Sequence, residues 1–196
     1  MASPVETQMK ILGLFRHAKS DWGDARARDF DRPLNARGRQ GAPIMGRHIS
    51  AYLAQRGLQW DRILASPAVR AAETIELAAQ GAGLEAGRSL AVNWDRRIYL
   101  ASSASLLDVL REQDDSVGAI MMVGHNPGLE DLIFDLVPDD GSSPLRDVVE
   151  AKFPTATFAV LEIDVDHWVD VRENGARLVH LMRPRDLDPA LGPERF

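Results

Sequence analysis

Short apolar runs alternate along this chain with longer segments of helical periodicity. The clearest runs are residues 11–15, 63–65, 119–123, 157–163 and 178–182, with a weaker candidate at 90–92. Between them, apolar residues recur every three or four positions, as at Met45, Ile49 and Tyr52. Pro43 either kinks this first helical segment or marks its start. The alternation is typical of an α/β protein with a largely parallel sheet, and we predict that fold class.

Length and composition restrict the classes of function. A chain of 196 residues without an internal repeat or long linker predicts one domain, 1–196, with its core at about 10–185. The net charge of −6 argues against a nucleic-acid partner, because such proteins usually carry a broad basic face. The absence of cysteine excludes disulfides and cysteine metal sites. No run reaches the length of a membrane span and the N-terminus lacks signal-peptide character, so we expect no membrane partner and a cytoplasmic location.

Cationic and imidazole side chains follow three of the predicted strands. Arg16 and His17 come directly after the first run, Arg70 follows the second closely, and His125 follows the third. Ligands of open α/β sheets collect at the carboxyl ends of the strands. We therefore expect these four side chains to surround one anion, and a dianionic phosphoryl group suits two guanidiniums and two imidazoles best.

Two of these strand ends also carry signals for a helix start. Ser66 is a favoured N-cap and Pro67 a favoured first helical residue, so a helix is predicted to begin at Ser66. Asn126 and Pro127 predict a second start in the same way. Helix N-termini attract anions through free amide groups and the helix dipole. The residues after Pro184 are interpreted as an extended or frayed tail.

These residue types fit phosphoryl transfer. Its transition state spreads charge over three equatorial oxygens, which Arg16 and Arg70 are suited to clamp. The attacking histidine must be neutral, and two nearby guanidiniums lower an imidazole pKa toward that state. His17 is the better nucleophile candidate because it shares a strand tip with Arg16, and His125 is the hydrogen-bonding partner.

Four ordered motifs resemble those of the histidine phosphatase superfamily. They are Phe15-Arg16-His17-Ala18-Lys19-Ser20, Arg32-Pro33-Leu34-Asn35 with Gly38, Ser66-Pro67-Ala68-Val69-Arg70 and Gly124-His125-Asn126-Pro127-Gly128. The Arg-His-Ala-Lys-Ser form and the small size are similar to the SixA-type phosphohistidine phosphatase branch. The resemblance covers about residues 10–185. It implies a three-layer α/β/α sandwich of the phosphoglycerate mutase type with a mostly parallel central sheet. It also implies a phosphohistidine intermediate on His17 and a phosphate pocket of Arg16, Arg70 and His125, with no metal and no cofactor.

Other positions keep two interpretations. Many members of the superfamily use an acidic residue after the third strand to protonate the leaving oxygen. Asp95 is the nearest match here, and the alternative is an ion pair with Arg96 or Arg97. Lys19 contacts the phosphoryl group or an acidic substrate surface, or is simply solvated. Asn35 is predicted as a helix N-cap. A solvated, ion-paired loop is predicted for Arg26, Arg28, Arg32, Arg37 and Arg39 with Asp24, Asp29 and Asp31.

Three functions follow from these patterns. The first is a phosphatase acting through His17 on phosphohistidine in a protein, because a short chain has little sequence for a lid over the pocket. A phosphoramidate leaving group can be protonated on nitrogen before cleavage, which makes a strong general acid less necessary. The second is a phosphatase of small phosphate esters, such as sugar phosphates or nucleotides, in which Asp95 is the general acid. The third is a phosphate-binding module without turnover.

Overall fold

A six-stranded sheet with helices on both faces forms the computed structural model, which describes residues 9–84 and 91–192. The strands are β1 (Lys10–Arg16), β2 (Arg62–Ala65), β3 (Val92–Trp94), β4 (Ala119–Gly124), β5 (Phe158–Ile163) and β6 (Ala176–Met182). The helices are α1 (Ala36–Arg56), α2 (Val69–Gly81), α3 (Ser103–Arg111), α4 (Gly128–Leu136), α5 (Pro144–Ala151) and α6 (Pro184–Leu187). The strand order is β3-β2-β4-β1-β5-β6, and β5 runs antiparallel to both of its neighbours. The predicted mostly parallel α/β sheet is confirmed.

Successive residues of each strand point to opposite faces, which gives the sheet two cores. In β4, Met121 and Val123 pack with α1 and α2, whereas Ile120 and Met122 pack with α3 and α4. Nearly all of these side chains are excluded from solvent. The resulting three layers are the α/β/α sandwich implied by the resemblance. Every helix among the described residues is too short or too polar to cross a bilayer.

Several predicted element boundaries were wrong. The helix after β2 begins at Val69 rather than Ser66, because the Ser66 hydroxyl bonds His125 instead of capping a helix. The helix after β4 begins at Gly128, and Asn126 donates its amide to Glu130 instead of capping.

The other helical predictions had mixed outcomes. Asn35 caps α1 as predicted, because its side chain accepts a hydrogen bond from the Gly38 amide at 2.9 Å. Since α1 begins at Ala36, Pro43 lies inside the helix and does not mark its start. The tail after Pro184 is not extended, since it forms α6, and α5 was not predicted. The weak strand candidate at residues 90–92 corresponds to β3, which spans Val92–Trp94. Residues 85–90 lie outside the described part of the chain.

Two glycines allow α1 and α2 to pack with their backbones in contact. A Cβ at Gly46 would lie 1.9 Å from the Ala78 carbonyl oxygen, and one at Gly81 would lie 2.1 Å from the Pro43 carbonyl oxygen. Both distances are impossible for a real Cβ atom. Because α2 carries Arg70 in its first turn, this close packing also fixes the position of that side chain.

We predict that Gly46→Ala lowers the free energy of unfolding by about 1–3 kcal/mol, because α1 and α2 must separate. Gly41→Ala in the same helix is the matched control, since its Cβ would meet only Leu191 Cδ1 at 3.8 Å. The control is expected to keep or raise stability, by up to about 1 kcal/mol, through helix propensity. Urea unfolding measures both variants, and equal stabilities would contradict the close contact.

Candidate functional site

Parallel register brings three strand ends to the same level of the sheet. Arg16 pairs with Gly124 between β1 and β4, and Ala65 pairs with Val123 between β2 and β4. The next residue of each strand, His17, His125 or Ser66, therefore emerges at a common edge. The backbone amide of His17 donates to the Gly124 carbonyl at 3.1 Å, which continues the pairing by one residue.

The His17 ring is held in one tautomer. Its Nδ1 lies 2.7 Å from the Ala18 carbonyl oxygen, which only accepts, so Nδ1 carries the proton and Nε2 keeps a free lone pair. The Thr74 hydroxyl accepts from the Ala18 amide at 2.9 Å and donates to the Arg70 carbonyl at 2.6 Å. Helix α2 thereby supports the backbone beside the ring.

The His125 ring lies next to His17. Their ring centroids are 4.9 Å apart, with the planes tilted by 53°. His125 Nε2 lies 2.8 Å from the Ser66 hydroxyl oxygen, and its Nδ1 is buried without a hydrogen-bond partner in the described part of the chain. When Ser66 donates to Nε2, Nδ1 carries the proton and is a free donor inside the site.

Both rings are uncharged at neutral pH. Burial is the largest cause that lowers the pKa of His17 well below its ordinary value, and His125, Arg70 and Arg16 lower it further. Burial, Arg70 and Arg16 lower the pKa of His125 to about 3, against a smaller opposing effect of Asp29. A neutral His17 with a free Nε2 has the protonation state that a nucleophile requires.

Arg16 reaches from β1 to the loop that precedes β5. Its Nη1 donates to the Phe153 carbonyl at 2.6 Å, and its Nε is buried without a partner among the described residues. Buried donors without partners are uncommon and call for an explanation. Here two of them, Arg16 Nε and His125 Nδ1, belong to residues predicted to hold an anion. An oxyanion with several acceptor oxygens would satisfy both.

Arg70 is 2% exposed and forms two hydrogen bonds with Asp29, which was predicted to lie in a solvated loop. Its Nη1 donates to the Asp29 carbonyl oxygen at 2.6 Å, and its Nη2 lies 3.0 Å from Asp29 Oδ2. The Tyr99 hydroxyl donates to the same Oδ2 at 2.6 Å. Burial acts to raise the pKa of Asp29, but the Tyr99 hydrogen bond and the Arg70 charge outweigh it and lower the pKa.

The loop around Asp29 differs from the prediction in a second respect. Arg32 is 7% exposed, pairs with Asp29, and has its guanidinium carbon 3.4 Å from the centre of the Trp22 ring. Stacking on an aromatic ring and pairing with a carboxylate stabilise this buried arginine, whose Nε and Nη1 have no hydrogen-bond partner among the described residues. The prediction of a solvated Arg32 was therefore wrong.

His17, His125, Arg16 and Arg70 form the histidine cluster. Among the described residues, the side chains of Asp95 and Lys19 form no hydrogen bond with it. Asp95 Oδ2 pairs with Arg97 Nη2 at 2.7 Å, as in the ion-pair alternative. That hydrogen bond is the largest cause that lowers the pKa of Asp95. Lys19 is half-buried and lines a neighbouring cavity together with Arg16. Among residues 9–84 and 91–192, no group of three or more histidine, aspartate or glutamate side chains is arranged to hold a metal ion.

The sequence and the fold of this chain are similar to those of known proteins. Residues 12–90 match the family model of the histidine phosphatase superfamily (branch 1). The uncharacterized protein Rv1276c of Mycobacterium tuberculosis is 32% identical over 171 residues, which cover 87% of this chain and 99% of that protein.

Two solved structures are similar in fold and sequence, both provisionally assigned as phosphohistidine phosphatase SixA. The Agrobacterium tumefaciens protein has a TM-score of 0.69 and 28% identity, with coverage of 89% of this chain and 98% of that one. The Nakamurella multipartitia protein has a TM-score of 0.68 and 26% identity, with coverage of 90% and 96%.

The site geometry predicts that His17 and His125 stay neutral well below pH 6.5. Nitrogen chemical shifts of the rings, followed by NMR from pH 8 to pH 5, are expected to remain those of neutral imidazole. His167 is an internal control, because its hydrogen bond with Asp115 raises its pKa and its ring is therefore charged at pH 5. Protonation of His17 or His125 with a midpoint near pH 6.5 would contradict the buried, cation-flanked site.

Proposed function

The protein belongs to the histidine phosphatase superfamily, and we propose that it is a phosphatase that hydrolyses phosphohistidine in proteins through a phosphorylated His17. The observation that carries this proposal is the neutral His17 ring with a free Nε2 between buried cations. We assign the roles of the remaining cluster residues on the same grounds.

In the proposed complex, the phosphoryl oxygens take the donors that have no partner in the described residues. Arg16 Nε and His125 Nδ1 donate to two of these oxygens. Arg70 keeps N–H groups beyond the two that bond Asp29, since a guanidinium has five. These donors stabilise the charge that spreads over the equatorial oxygens in the transition state, and the low exposure of His17 and His125 strengthens their effect.

The proposed reaction has two steps. In the first, the His17 Nε2 lone pair attacks phosphorus in line with the substrate P–N bond. That bond breaks and its electron pair goes to the leaving imidazole nitrogen. The other ring nitrogen, protonated before cleavage, keeps its proton, so a neutral imidazole departs. In the second, water attacks the phosphorylated His17, giving inorganic phosphate and free imidazole. The Ala18 carbonyl keeps the Nδ1 proton in place, so Nε2 is the attacking nitrogen throughout.

Two of the carboxylates near the site, Asp29 and Asp95, favour a phosphoramidate over an alkyl ester. An alkoxide leaves readily only when an acid protonates it, which requires a carboxyl group that still holds its proton at neutral pH. The pKa of Asp95 is lowered by Arg97, and the pKa of Asp29 is lowered by Tyr99 and Arg70. Both carboxylates are therefore ionised. An imidazole whose other ring nitrogen is protonated beforehand leaves as a neutral group and does not need either of them.

We predict that His17→Ala abolishes hydrolysis of a phosphohistidine peptide, because the nucleophile is lost. Wild-type protein treated with labelled phosphohistidine peptide is expected to carry acid-labile label on His17, which His17→Ala lacks. His167→Ala is the matched control, since this exposed histidine pairs only with Asp115 among the described residues, and it should keep the wild-type rate. A His17→Ala protein as fast as wild type would refute the proposal.

We predict that Asp95→Asn changes phosphohistidine hydrolysis by less than about twofold, because the leaving group needs no acid from the protein. The same variant is assayed on p-nitrophenyl phosphate and on alkyl phosphates. A loss of about tenfold or more on the alkyl phosphates, with normal thermal stability, would instead favour a phosphatase of small esters with Asp95 as its acid.

A further inference from the structure

A separate cationic cavity of about 210 Å³ opens beside Arg16. Five cationic side chains line it: Arg16, Lys19, Arg37, Lys152 and Arg185. No aspartate or glutamate of the described ranges lines it. Such a concentration of one sign of charge is notable in a chain of net charge −6. A cavity with this lining raises the local concentration of anions.

The cations come from chain segments that are far apart in sequence. Lys19 follows β1, Arg37 lies in the first turn of α1, Lys152 precedes β5, and Arg185 lies in α6. The Arg16–Phe153 hydrogen bond holds the Lys152 segment against the β1 tip. The cavity therefore exists only in the folded chain.

Most of these cations are free to bind a ligand. Arg37 donates to the Gly192 carbonyl oxygen at 3.0 Å, and this bond leaves its charge uncompensated. Within residues 9–84 and 91–192, Lys19, Lys152 and Arg185 form no ion pair that would neutralise them. Like charges so arranged repel one another, and a bound anion would offset that repulsion.

The size of the cavity limits what it can hold. Its volume is below the roughly 300–1,000 Å³ of pockets for drug-sized ligands. It has room for one phosphate or carboxylate with a few waters, at about 30 Å³ for each water. Gly38, Gly41 and Gly192 line part of its wall.

We propose that this cavity binds a second anionic group, phosphate or carboxylate, of the same substrate molecule whose phosphoryl group lies at His17. This inference rests on the proposed function and adds the substrate class. Arg16 connects the two sites. It lines the cavity, and it lies close enough to His17 and His125 for its charge to affect both rings. The preferred substrate is therefore at least doubly anionic.

Two matched double variants test the cavity. Lys152→Gln with Arg185→Gln removes two of its charges and leaves the histidine cluster intact. Arg47→Gln with Arg172→Gln changes the net charge equally, at exposed positions outside the cavity. Thermal unfolding first establishes that both proteins fold.

Two substrate pairs distinguish the sources of the second anion. One pair is a phosphohistidine peptide flanked by Asp and Glu and the same peptide flanked by Asn and Gln. The other is butane-1,4-diol bisphosphate and butyl phosphate. In at least one pair, wild type is expected to prefer the more anionic member in kcat/KM by about tenfold or more, mainly through KM. The cavity variant loses that preference, and the surface variant keeps it.

The pair that shows the preference identifies the source as an acidic protein or a small bisphosphate. Preference below about twofold in both pairs, or equal loss in the two double variants, would overturn the subsite. Calorimetric titration of His17→Ala protein with all four compounds, with and without the cavity substitutions, makes the same comparison without turnover. Wild-type protein that hydrolyses none of the compounds refutes the proposed function, whereas the calorimetric affinities still decide the subsite.

Discussion

The common level at which β2, β4 and β1 end is the constraint on which the site depends. Parallel pairing aligns Ala65 with Val123 and Arg16 with Gly124. The residues that follow these strands are therefore neighbours, although they are far apart in sequence, as Ser66 and His125 are at 59 positions. A slip of one residue in either pairing would turn the following side chain toward the opposite face of the sheet. The close-packed cores on both faces resist such a slip, because it would exchange side chains of different size and shape between them.

That alignment creates an electrostatic cost at the same edge. The fold buries His17 and His125 beside Arg16 and Arg70, and the rings respond by remaining neutral, with the pKa of His125 at about 3. Within the described residues, other protein groups accept hydrogen bonds from only some of the N–H groups of Arg16 and His125. Arg16 Nε and His125 Nδ1 have no partner because the site is arranged for a negative charge that arrives with the substrate.

The sequence predicts those parts of the molecule that depend on local signals. Apolar runs and helical spacing identify the strands and most helices, and residues after the runs identify the histidines and arginines that the fold brings together. Long-range contacts account for the failures. Ser66 does not cap α2 because its hydroxyl meets His125, 59 positions away. Asp29 pairs with Arg70 across 41 positions, and its charged loop contains other carboxylates equally suited by composition.

The charge distribution explains how an acidic protein binds anions. Exposed charges act over about 8–10 Å at physiological ionic strength, so the net charge of −6 weakly affects an ion already inside a cavity. Within the cavity, Arg16, Lys19 and Arg37 lie against low-dielectric walls, where screening is smaller. The overall negative charge instead weakens association with extended polyanions, whose many phosphates meet the whole surface. Local and global charges of opposite sign thus support the proposed doubly anionic substrates and argue against extended polyanions.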